Sequence, residues 1–534
     1  AQVAGVVQLG ARIEEFYGDP RAIEWALTAG GEFAIPPARP ITALPELELD
    51  PPTEWGPLAP KMIYMRHSIV ELLPDPLSPL YATLGSRAIN AGTLQYFSEI
   101  VGRDILPEEV FTTLNGYGYY LMQMSLKFWL RAINRVWSFL PQVFQGETRW
   151  RNEAHPHYVA VIEKWQSRPL AEYTSAELLE GAYQIAAESV NIYNVYQSGV
   201  IGQATMSEML FTAFYEKLIR RKGEPPALTF MLGGDSLPLR TEKSLYDIGQ
   251  WCRAHLKLAD YVMETPSAQL AVQLDSEAPP KETAIADDVW QAWRRQIAIH
   301  LADYGYVVYD MDFAKPVPAD DPAPILETLK LYVSGQGADP HARQQEQLEQ
   351  REAATAALTA RLKGWRLKQF LKFLGWVQKY VPMREDNLAD VSLGYPLLRQ
   401  MLHELGDRLT RAGTLEQADD VYWLYEDEAV EAAAALDRGE TLPSEIETVR
   451  YRKAEWRAAK RVTPPATLPE RSGMSGLMER VGPMRMDQKD ADMIKGVGAS
   501  PGQVTAKACV LHGPDDFDRM QPGDVLVAAI TTPA

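Results

Sequence analysis

Most of this chain has the residue spacing of amphipathic helices. Between Lys61 and Pro465, apolar residues recur every three or four positions over long stretches. That spacing places them on one face of an α-helix, which must be buried against other helices. The stretches for which we predict helices are Gly116–Val143, Ser175–Leu218, Ser244–Glu264, Val289–Tyr304 and Leu397–Leu409. We therefore expect the core of residues 61–465 to be built by helix packing rather than by a sheet.

The longest helical pattern covers Asp339–Tyr380 and is rich in glutamine, glutamate and alanine. As one continuous helix it would be roughly 60 Å long, because each helical residue adds about 1.5 Å. A long scaffold hairpin is favoured over a protein-docking coiled coil, since the segment keeps no heptad pattern for long.

The first 42 residues have a different pattern. Leu9–Gly18 has helical spacing and ends at a glycine. The apolar segment Ile23–Leu27 is followed by the turn Gly30-Gly31 and then by Glu32–Ile35. These features predict a helix followed by a β-hairpin. The sequence Arg39-Pro40-Ile41-Thr42 comes directly after the predicted hairpin.

A second β-rich pattern lies at Gly496–Ala534. Gln503–Leu511 alternates polar and apolar residues, and Val525–Ile530 is an apolar run that follows the turn Pro522-Gly523-Asp524. Both patterns predict strands of a small β-rich domain. The glycines between positions 496 and 502 do not fit a dinucleotide-binding loop, because that motif needs a helix after the glycines and here a strand follows.

The two ends resemble parts of the phosphoenolpyruvate-utilising dikinases. Gly496–Ala534 is similar to the start of their swivelling phosphohistidine domain, and the segment up to Thr42 is similar to the end of their ATP-grasp nucleotide-binding domain. The resemblance implies that Glu24 binds the Mg²⁺ of ATP and that Arg39 binds a phosphate. Pro37 departs from the family pattern, which has a glutamine there, because proline offers neither a side-chain amide nor an N–H.

Three segments of the helical region resemble rifampin phosphotransferases within this group. They are the basic and proline-rich segment Arg66–Leu80, the triplet Arg384-Glu385-Asp386, and Ala418–Leu424, for which we expect an aromatic strand. The resemblance implies that the helical domain binds the acceptor. The residues suggested for substrate binding are Arg66, Ser78 and Arg384, and those suggested as the base for an acceptor hydroxyl are His67, Glu71, Glu385 and Asp386. For each of them the alternative role is an ion pair or a helix cap.

The expected fold class is therefore mainly α, with a large helical central domain flanked by a fragment of an α+β ATP-grasp domain and a truncated β-rich phosphohistidine domain. The expected order is the ATP-grasp part at 1–42, a linker at 43–60, the acceptor-binding domain at 61–465, a linker at 466–490 and the start of the phosphohistidine domain at 491–534. In the family the phosphorylated histidine lies beyond the position of Ala534, so this piece alone is expected to be inactive.

The resemblance also implies a reaction and its cofactors, ATP and Mg²⁺. A phosphoryl group would pass from ATP through a histidine to a hydroxylated small molecule, with AMP and phosphate as the other products. Two alternatives stay open. One is a non-catalytic small-molecule-binding protein whose ATP site has decayed at Pro37, and the other is an enzyme similar to phosphoenolpyruvate synthase with another acceptor.

The net charge and the cysteine content limit the classes of partner and the kinds of site that we expect for this chain. The chain has 71 acidic and 53 basic residues and a net charge of −18, which disfavours nucleic acid and membrane surfaces as partners. Its two cysteines, Cys252 and Cys509, give no disulfide framework, and no apolar run reaches the roughly 18 residues of a membrane helix. A cytoplasmic protein is expected. The pair His155 and His157 has the spacing of some metal ligands, but we favour a turn because no third ligand lies nearby in sequence.

Overall fold

The fold is mainly helical, as the apolar spacing predicts. A computed structural model describes residues 47–56, 63–66, 72–121, 144–468 except 282 and 309, 504–511 and 519–528, with a few further positions within 21–40 and 127–134. Across these ranges, no helix combines the length and the apolar content needed to cross a membrane. The helices are α1 (Ser86–Val101), α2 (Gly146–Arg149), α3 (His155–Gln166), α4 (Ser175–Val195), α5 (Ile201–Phe214), α6 (Leu237–Arg253), α7 (Leu256–Glu264), α8 (Ser267–Gln273), α9 (Asp287–Tyr304), α10 (Ala323–Ser334), α11 (Pro340–Arg361), α12 (Gly364–Ala389), α13 (Tyr395–Arg411), α14 (Glu426–Asp437) and α15 (Ile446–Lys460).

The strands are short and lie mainly near the two ends of the chain. They are β1 (Arg21–Ala22), β2 (Ala26–Leu27), β3 (Phe33–Ala34), β4 (Arg39–Pro40), β5 (Tyr64–Met65), β6 (Phe111–Leu114), β7 (Tyr117–Leu121), β8 (Thr467–Leu468), β9 (Ala508–Leu511) and β10 (Val525–Ala528). Antiparallel pairing of β2 with β3 confirms the hairpin predicted near the start. The strands predicted near the end are also confirmed as β9 and β10, which pair in parallel.

A small sheet lies within the region for which only helix packing was expected. Its strand order is β6-β7-β5-β8, and each neighbouring pair is antiparallel. Tyr64 pairs with Leu468 across β5 and β8, so the beginning and the end of the helical region lie side by side. The buried side chains of Tyr117, Tyr119 and Leu468 form a small apolar cluster on this sheet. The expectation of a core without any sheet is wrong at this place.

The helix predicted to begin at Gly116 is also wrong for the residues up to Leu121, which form strand β7. Asn115 and Gly116 have positive φ angles of 51° and 80°. These angles are those of a tight turn between antiparallel strands, and an Asn-Gly pair is the sequence most suited to it. Most of the remaining predicted segment, residues 122–143, lies outside the described residues.

The pattern at Asp339–Tyr380 forms two helices, α11 and α12, as the favoured hairpin requires, because the chain is extended at Leu362 and Lys363 and Gly364 has a φ of 58°. One other pattern folds differently from the expectation. The expected aromatic strand at Ala418–Leu424 is instead a 3₁₀-helix at Ala418–Trp423. In it, Asp420 accepts hydrogen bonds from the backbone N–H groups of residues 416 and 417, which fixes a helical turn.

Helix packing produces several apolar clusters. The largest is formed around α4 and α13 by residues such as Ile185, Leu398 and Leu405. A second cluster joins α6 to α10 and contains Trp290 and Trp293. The third cluster joins α5 to α11 and α12 through stacked and edge-on aromatic rings; its members include Phe211, Phe230 and Phe370. The helices α11 and α12 thus form a hairpin that carries the triplet Arg384-Glu385-Asp386 near its end.

Candidate functional site

Arg384 and Glu385 form a partly exposed ion pair at the end of α12. The Nε and Nη2 atoms of Arg384 donate to Oε1 of Glu385 at 2.9 and 2.8 Å. The two side chains are 36% and 34% exposed, so a ligand can reach them. Burial alone would lower the pKa of Arg384, but the hydrogen bond to Glu385 and the nearby Tyr196 and Glu208 raise it, so the guanidinium keeps its charge.

Asp386 has a different role from its two neighbours. Its Oδ1 atom accepts a hydrogen bond of 2.7 Å from the backbone N–H of Leu237 and one of 3.1 Å from Arg240. Leu237 is the first residue of α6, and the residue before it, Ser236, makes no side-chain cap. Asp386 therefore satisfies an N–H at the start of α6 from a distant helix. Of the two residues of the triplet that were suggested as a base, Glu385 and Asp386, Asp386 caps α6 and Glu385 pairs with Arg384.

An open polar cleft lies beside Asp386. It has a volume of about 590 Å³ and includes Asp386 in its lining. Residues of α11, residues of α12 and the loop at Gly233 and Gly234 form its walls, together with Arg151 from the turn before α3. The cleft is large enough for a small molecule of the size that protein pockets commonly bind.

The sequence did not point to His155 and Asp390 as a pair, and Asp390 lies just after the triplet in the chain. Nδ1 of His155 lies 2.7 Å from Oδ2 of Asp390, which also accepts a 2.7 Å hydrogen bond from Trp150. The hydrogen bond to Asp390 raises the pKa of His155, although burial and Arg151 oppose this. Asp390 follows Asp386 by four residues, which is about one helical turn.

The two histidines considered as metal ligands contact different carboxylates. His155 pairs with Asp390 and His157 pairs with Glu188 at 3.2 Å. Within the ranges that the structure describes, no group of three or more metal-binding side chains is present.

Arg66 is buried and holds the proline-rich segment against the sheet. Its guanidinium donates to the carbonyl oxygens of Gly118, Leu73 and Pro74 at 3.0, 3.1 and 3.2 Å. The same group lies 4.8 Å from the ring centre of Tyr117. Burial lowers the pKa of Arg66, while neighbouring groups favour its charged form. These contacts indicate a structural role for Arg66.

Ser78 is also buried and is bound to a segment that follows α9. Its backbone N–H and its Oγ donate to the two carboxylate oxygens of Asp312, each at 2.5 Å. Burial raises the pKa of Asp312, and burial together with Asp312 raises the pKa of Asp310 to about 7. The sequence analysis missed Asp310 and Asp312, although two aspartates in the short segment between α9 and α10 were visible.

Asp75 of the proline-rich segment is paired with two lysines, one of which also lies 3.8 Å from Asp310. Lys315 and Lys460 donate to Oδ2 of Asp75 at 2.8 and 3.0 Å, and both lie over the ring of Trp456. Although burial opposes ionisation, these hydrogen bonds lower the pKa of Asp75. The proline-rich segment is thus fixed on several sides, and its described polar groups are used within the protein.

The remaining suggested residues lie in parts of the chain that can be described only partly or not at all. Glu24, His67 and Glu71 lie outside the described residues. For Arg39 only the backbone is described: in the pairing of β1 with β4 it stands opposite Ala22. Of the suggested residues, Asp386 lines the cleft and Arg384 and Glu385 precede it on α12. Arg66 and Ser78 make their described bonds elsewhere.

Comparison with known proteins identifies the same family that the sequence motifs resemble. A family model for the rifampicin phosphotransferase fourth domain matches residues 201–385. This range begins at α5 and ends at Glu385, so it contains the second and third apolar clusters and Arg384.

Curated relatives extend the similarity to the whole chain. A rifampicin phosphotransferase of Streptomyces sp is 24% identical over 100% of this chain and 61% of the relative. The rifampicin phosphotransferase of Bacillus subtilis (strain 168) is 20% identical over the same shares. An uncharacterized phosphotransferase of that organism is 22% identical over 68% of this chain and 42% of the relative. The chain thus spans 61% of the length of the two rifampicin phosphotransferases.

These matches confirm the resemblance inferred from the sequence. The chain is similar to rifampicin phosphotransferases over its whole length, and the family model covers residues 201–385.

Proposed function

We propose that the chain provides the acceptor-binding region of an ATP-dependent, dikinase-type phosphotransferase. In the proposed reaction a phosphoryl group passes from ATP through a histidine to a hydroxylated small molecule, releasing AMP and phosphate. The observation that carries the proposal is the end-to-end similarity to rifampicin phosphotransferases, with the family match ending at the ion pair of Arg384 and Glu385.

The triplet offers the chemistry that a hydroxyl acceptor needs. Phosphoryl transfer requires the acceptor oxygen to lie roughly 3–3.5 Å from phosphorus and in line with the bond that breaks. It also requires a group that takes the hydroxyl proton. Both bonds from Arg384 reach Oε1 of Glu385, so Oε2 makes no hydrogen bond to the described residues. We assign Glu385 as the base and Arg384 as the group that positions it and attracts the phosphoryl oxygens.

An apolar surface next to the ion pair favours an acceptor with a large apolar part. Met206, Met209 and Leu210 on α5 are exposed, and they lie beside Glu208, whose charge acts on Arg384. Exposed apolar side chains that adjoin a polar pair are a common arrangement in sites for small molecules.

The proposed ATP and Mg²⁺ sites rest on the sequence resemblance. Glu24 would hold Mg²⁺ and Arg39 would hold a phosphate, because carboxylate oxygen suits a hard cation and a guanidinium suits a phosphate. The pairing of Ala22 with Arg39 supports this assignment, since it brings the backbone of Arg39 next to the segment that contains Glu24. ATP would supply the phosphoryl group when bound.

Pro37 favours one alternative, a small-molecule-binding protein without phosphotransfer. The experiment that separates the two functions uses the whole protein and ATP labelled in its β-phosphate. Phosphotransfer predicts an acid-labile label on histidine and AMP release that rises when a suitable hydroxylated compound is added. Replacing Glu24 by Ala should remove most of the label, because Mg²⁺ would bind less well. A protein that binds the compound but acquires no label would contradict the proposed phosphotransfer.

A further inference from the structure

The polar cleft beside Asp386 is built by facing surfaces of two helices and a glycine loop. On α11 its lining residues are spaced by about one turn, as are Leu348 and Arg351, and on α12 they include Lys379 and Pro382. The loop can approach both helices only because it carries glycines. A Cβ atom at Gly233 would lie 3.0 Å from Leu348, and one at Gly234 would lie 2.7 Å from Pro382.

The cations of this cleft are only partly neutralised. The acidic residues that line it, Asp235 and Asp386, both bind Arg240, at 3.0 and 3.1 Å. Arg151 and Lys379 share one carboxylate, that of Glu147.

Arg351 is bound to a neutral group instead of a carboxylate. Its guanidinium donates to the backbone carbonyl of Leu232 at 3.0 Å, and this is its described polar contact. The cleft and its immediate partners therefore hold four cations against three carboxylates, with Arg351 as the cation that lacks an acidic partner. In a chain whose net charge is −18, this local excess of positive charge favours an anionic ligand.

Polar groups without charge add to the cleft. The amide of Gln378 donates to the carbonyl oxygen of Phe230 at 2.8 Å, and that of Gln344 donates to the carbonyl oxygen of Gly233 at 3.2 Å. Both glutamines line the cleft. A side-chain amide can bond a hydroxyl group as well as an anion.

We propose that this cleft binds the anionic group of a hydroxylated organic anion, held by Arg351 with Arg151 and Lys379. The cleft is lined by Asp386, whereas Arg384 and Glu385 precede Asp386 on α12 outside the lining. The ligand is assigned as the acceptor because this one helix carries both the cleft and the ion pair. This assignment rests on the proposed function, whereas binding of an anion in the cleft does not. The acceptor class is thus a compound that carries a hydroxyl group and a phosphate, sulfate or carboxylate.

The test is a titration of the full chain with inorganic phosphate, followed by calorimetry and by the melting temperature, with glycerol as an uncharged control. Wild-type protein should bind phosphate saturably. Arg351→Gln should raise the Kd about ten-fold or more, since a charge-assisted hydrogen bond is lost. The matched control is Arg343→Gln, because Arg343 lies on the same helix but pairs with Glu242 and does not line the cleft. It should bind phosphate as the wild type does.

Other results would overturn the inference. Absence of saturable phosphate binding, or equal binding by wild type and Arg351→Gln, would do so. If Arg351→Gln does not fold, Lys379→Gln gives the same test, since Lys379 lies on the exposed side of α12. Phosphate binding in the cleft without any phosphorylation of hydroxylated anions would contradict the proposed function alone. Phosphorylation of neutral compounds only, unaffected by Arg351→Gln, would contradict the anionic acceptor alone.

Discussion

Ser78 and Asp312 are joined by two hydrogen bonds of 2.5 Å although 234 residues separate them in the chain. The carboxylate also accepts a hydrogen bond of 2.9 Å from the N–H of Ala314. These bonds tie the proline-rich segment before α1 to the segment between α9 and α10. Because a buried carboxylate is costly without partners, this link is a condition for the fold of both segments.

Replacing Ser78 by Ala should lower the free energy of unfolding by about 1–3 kcal/mol, because one buried hydrogen bond to a charged group is lost. Urea denaturation measures this change. Ser98→Ala is the control: Ser98 bonds the carbonyl of Gln95 at an exposed position, so it should change stability by less than about 0.5 kcal/mol. If Ser78→Ala kept full stability and weakened acceptor binding instead, the substrate-binding role suggested for Ser78 would be supported.

Stability should fall as the pH rises from about 4 to about 7, in part because of Asp310. Burial and Asp312 raise its pKa to about 7, far above that of an unfolded aspartate. Its contribution is therefore largest below the unfolded pKa and is lost as the pH rises through the folded one. Asp310→Asn should remove this part of the pH dependence and stabilise the protein at pH 8 by roughly 1–3 kcal/mol.

Thermal melts of wild type and Asp310→Asn at pH 5 and pH 8 provide the measurement. The variant should gain more at pH 8 than at pH 5. An equal effect at both pH values would show that Asp310 titrates in the folded protein much as it does when unfolded.

The helical part of the fold could be predicted because apolar spacing is a local property. The apolar spacing places helices α4, α5, α9 and α13 close to their observed ranges, and the outer ends of these ranges differ from the prediction by only a few residues. The hairpin at Asn115 and Gly116 was missed although its signal is also local, since the aromatic residues after it were counted as a helical face. The pairing of Tyr64 with Leu468 could not be predicted, because it joins residues that no local pattern relates.

Glycines provide a sharp test of helix packing. A Cβ atom at Gly406 in α13 would lie 2.0 Å from the backbone oxygen of Ala418, and backbone cannot move away as a side chain can. Gly406→Ala should therefore destabilise the protein by roughly 2–3 kcal/mol or prevent folding.

Gly375→Ala is the matched control, because Gly375 lies inside α12 with nothing within 4 Å of an added Cβ. It should raise the free energy of unfolding by about 1 kcal/mol, since alanine favours the helix. Loss of stability in both variants would mean that α12 is packed differently around Gly375.

In the candidate site, too, contacts between neighbours in sequence could be predicted and contacts between distant residues could not. Arg384 and Glu385 could be found from a short motif, and their ion pair is formed between neighbours in sequence. The hydrogen bonds that Asp386 accepts from Leu237 and Arg240 could not be predicted from a motif, because α6 lies about 150 residues before Asp386 in the chain. A motif identifies which residues matter, whereas their separate roles depend on contacts made by the fold.

The roles assigned to Glu385 and Asp386 predict different effects of similar substitutions. Glu385→Gln should reduce the rate of acceptor phosphorylation about 10²- to 10⁴-fold with little change in melting temperature, because it removes the proposed base. Asp386→Asn should lower the free energy of unfolding by about 1 kcal/mol, because it weakens the cap of α6. Rates of AMP release and thermal melts measure the two effects. The assignment of the base would be wrong if Asp386→Asn lost activity and Glu385→Gln did not.

The pair of His155 and Asp390 should make a second, smaller contribution to stability that is also lost as the pH rises. The hydrogen bond to Asp390 raises the pKa of His155, so the stabilisation is fully present below the unfolded histidine pKa and is lost as the pH rises through the folded one. The groups that act on His155 are Asp390, which favours its charge, and Arg151, which opposes it. Because the side chain of His155 is 39% exposed, solvent screens the pair and its contribution should be only about 0.5 kcal/mol.

His155→Asn and Asp390→Asn should each flatten the dependence of the free energy of unfolding on pH between pH 6 and pH 8. The double variant should lose no more stability than either single variant. Urea denaturation across this range measures the profile, and additive losses in the double variant would show that the two residues stabilise the fold independently.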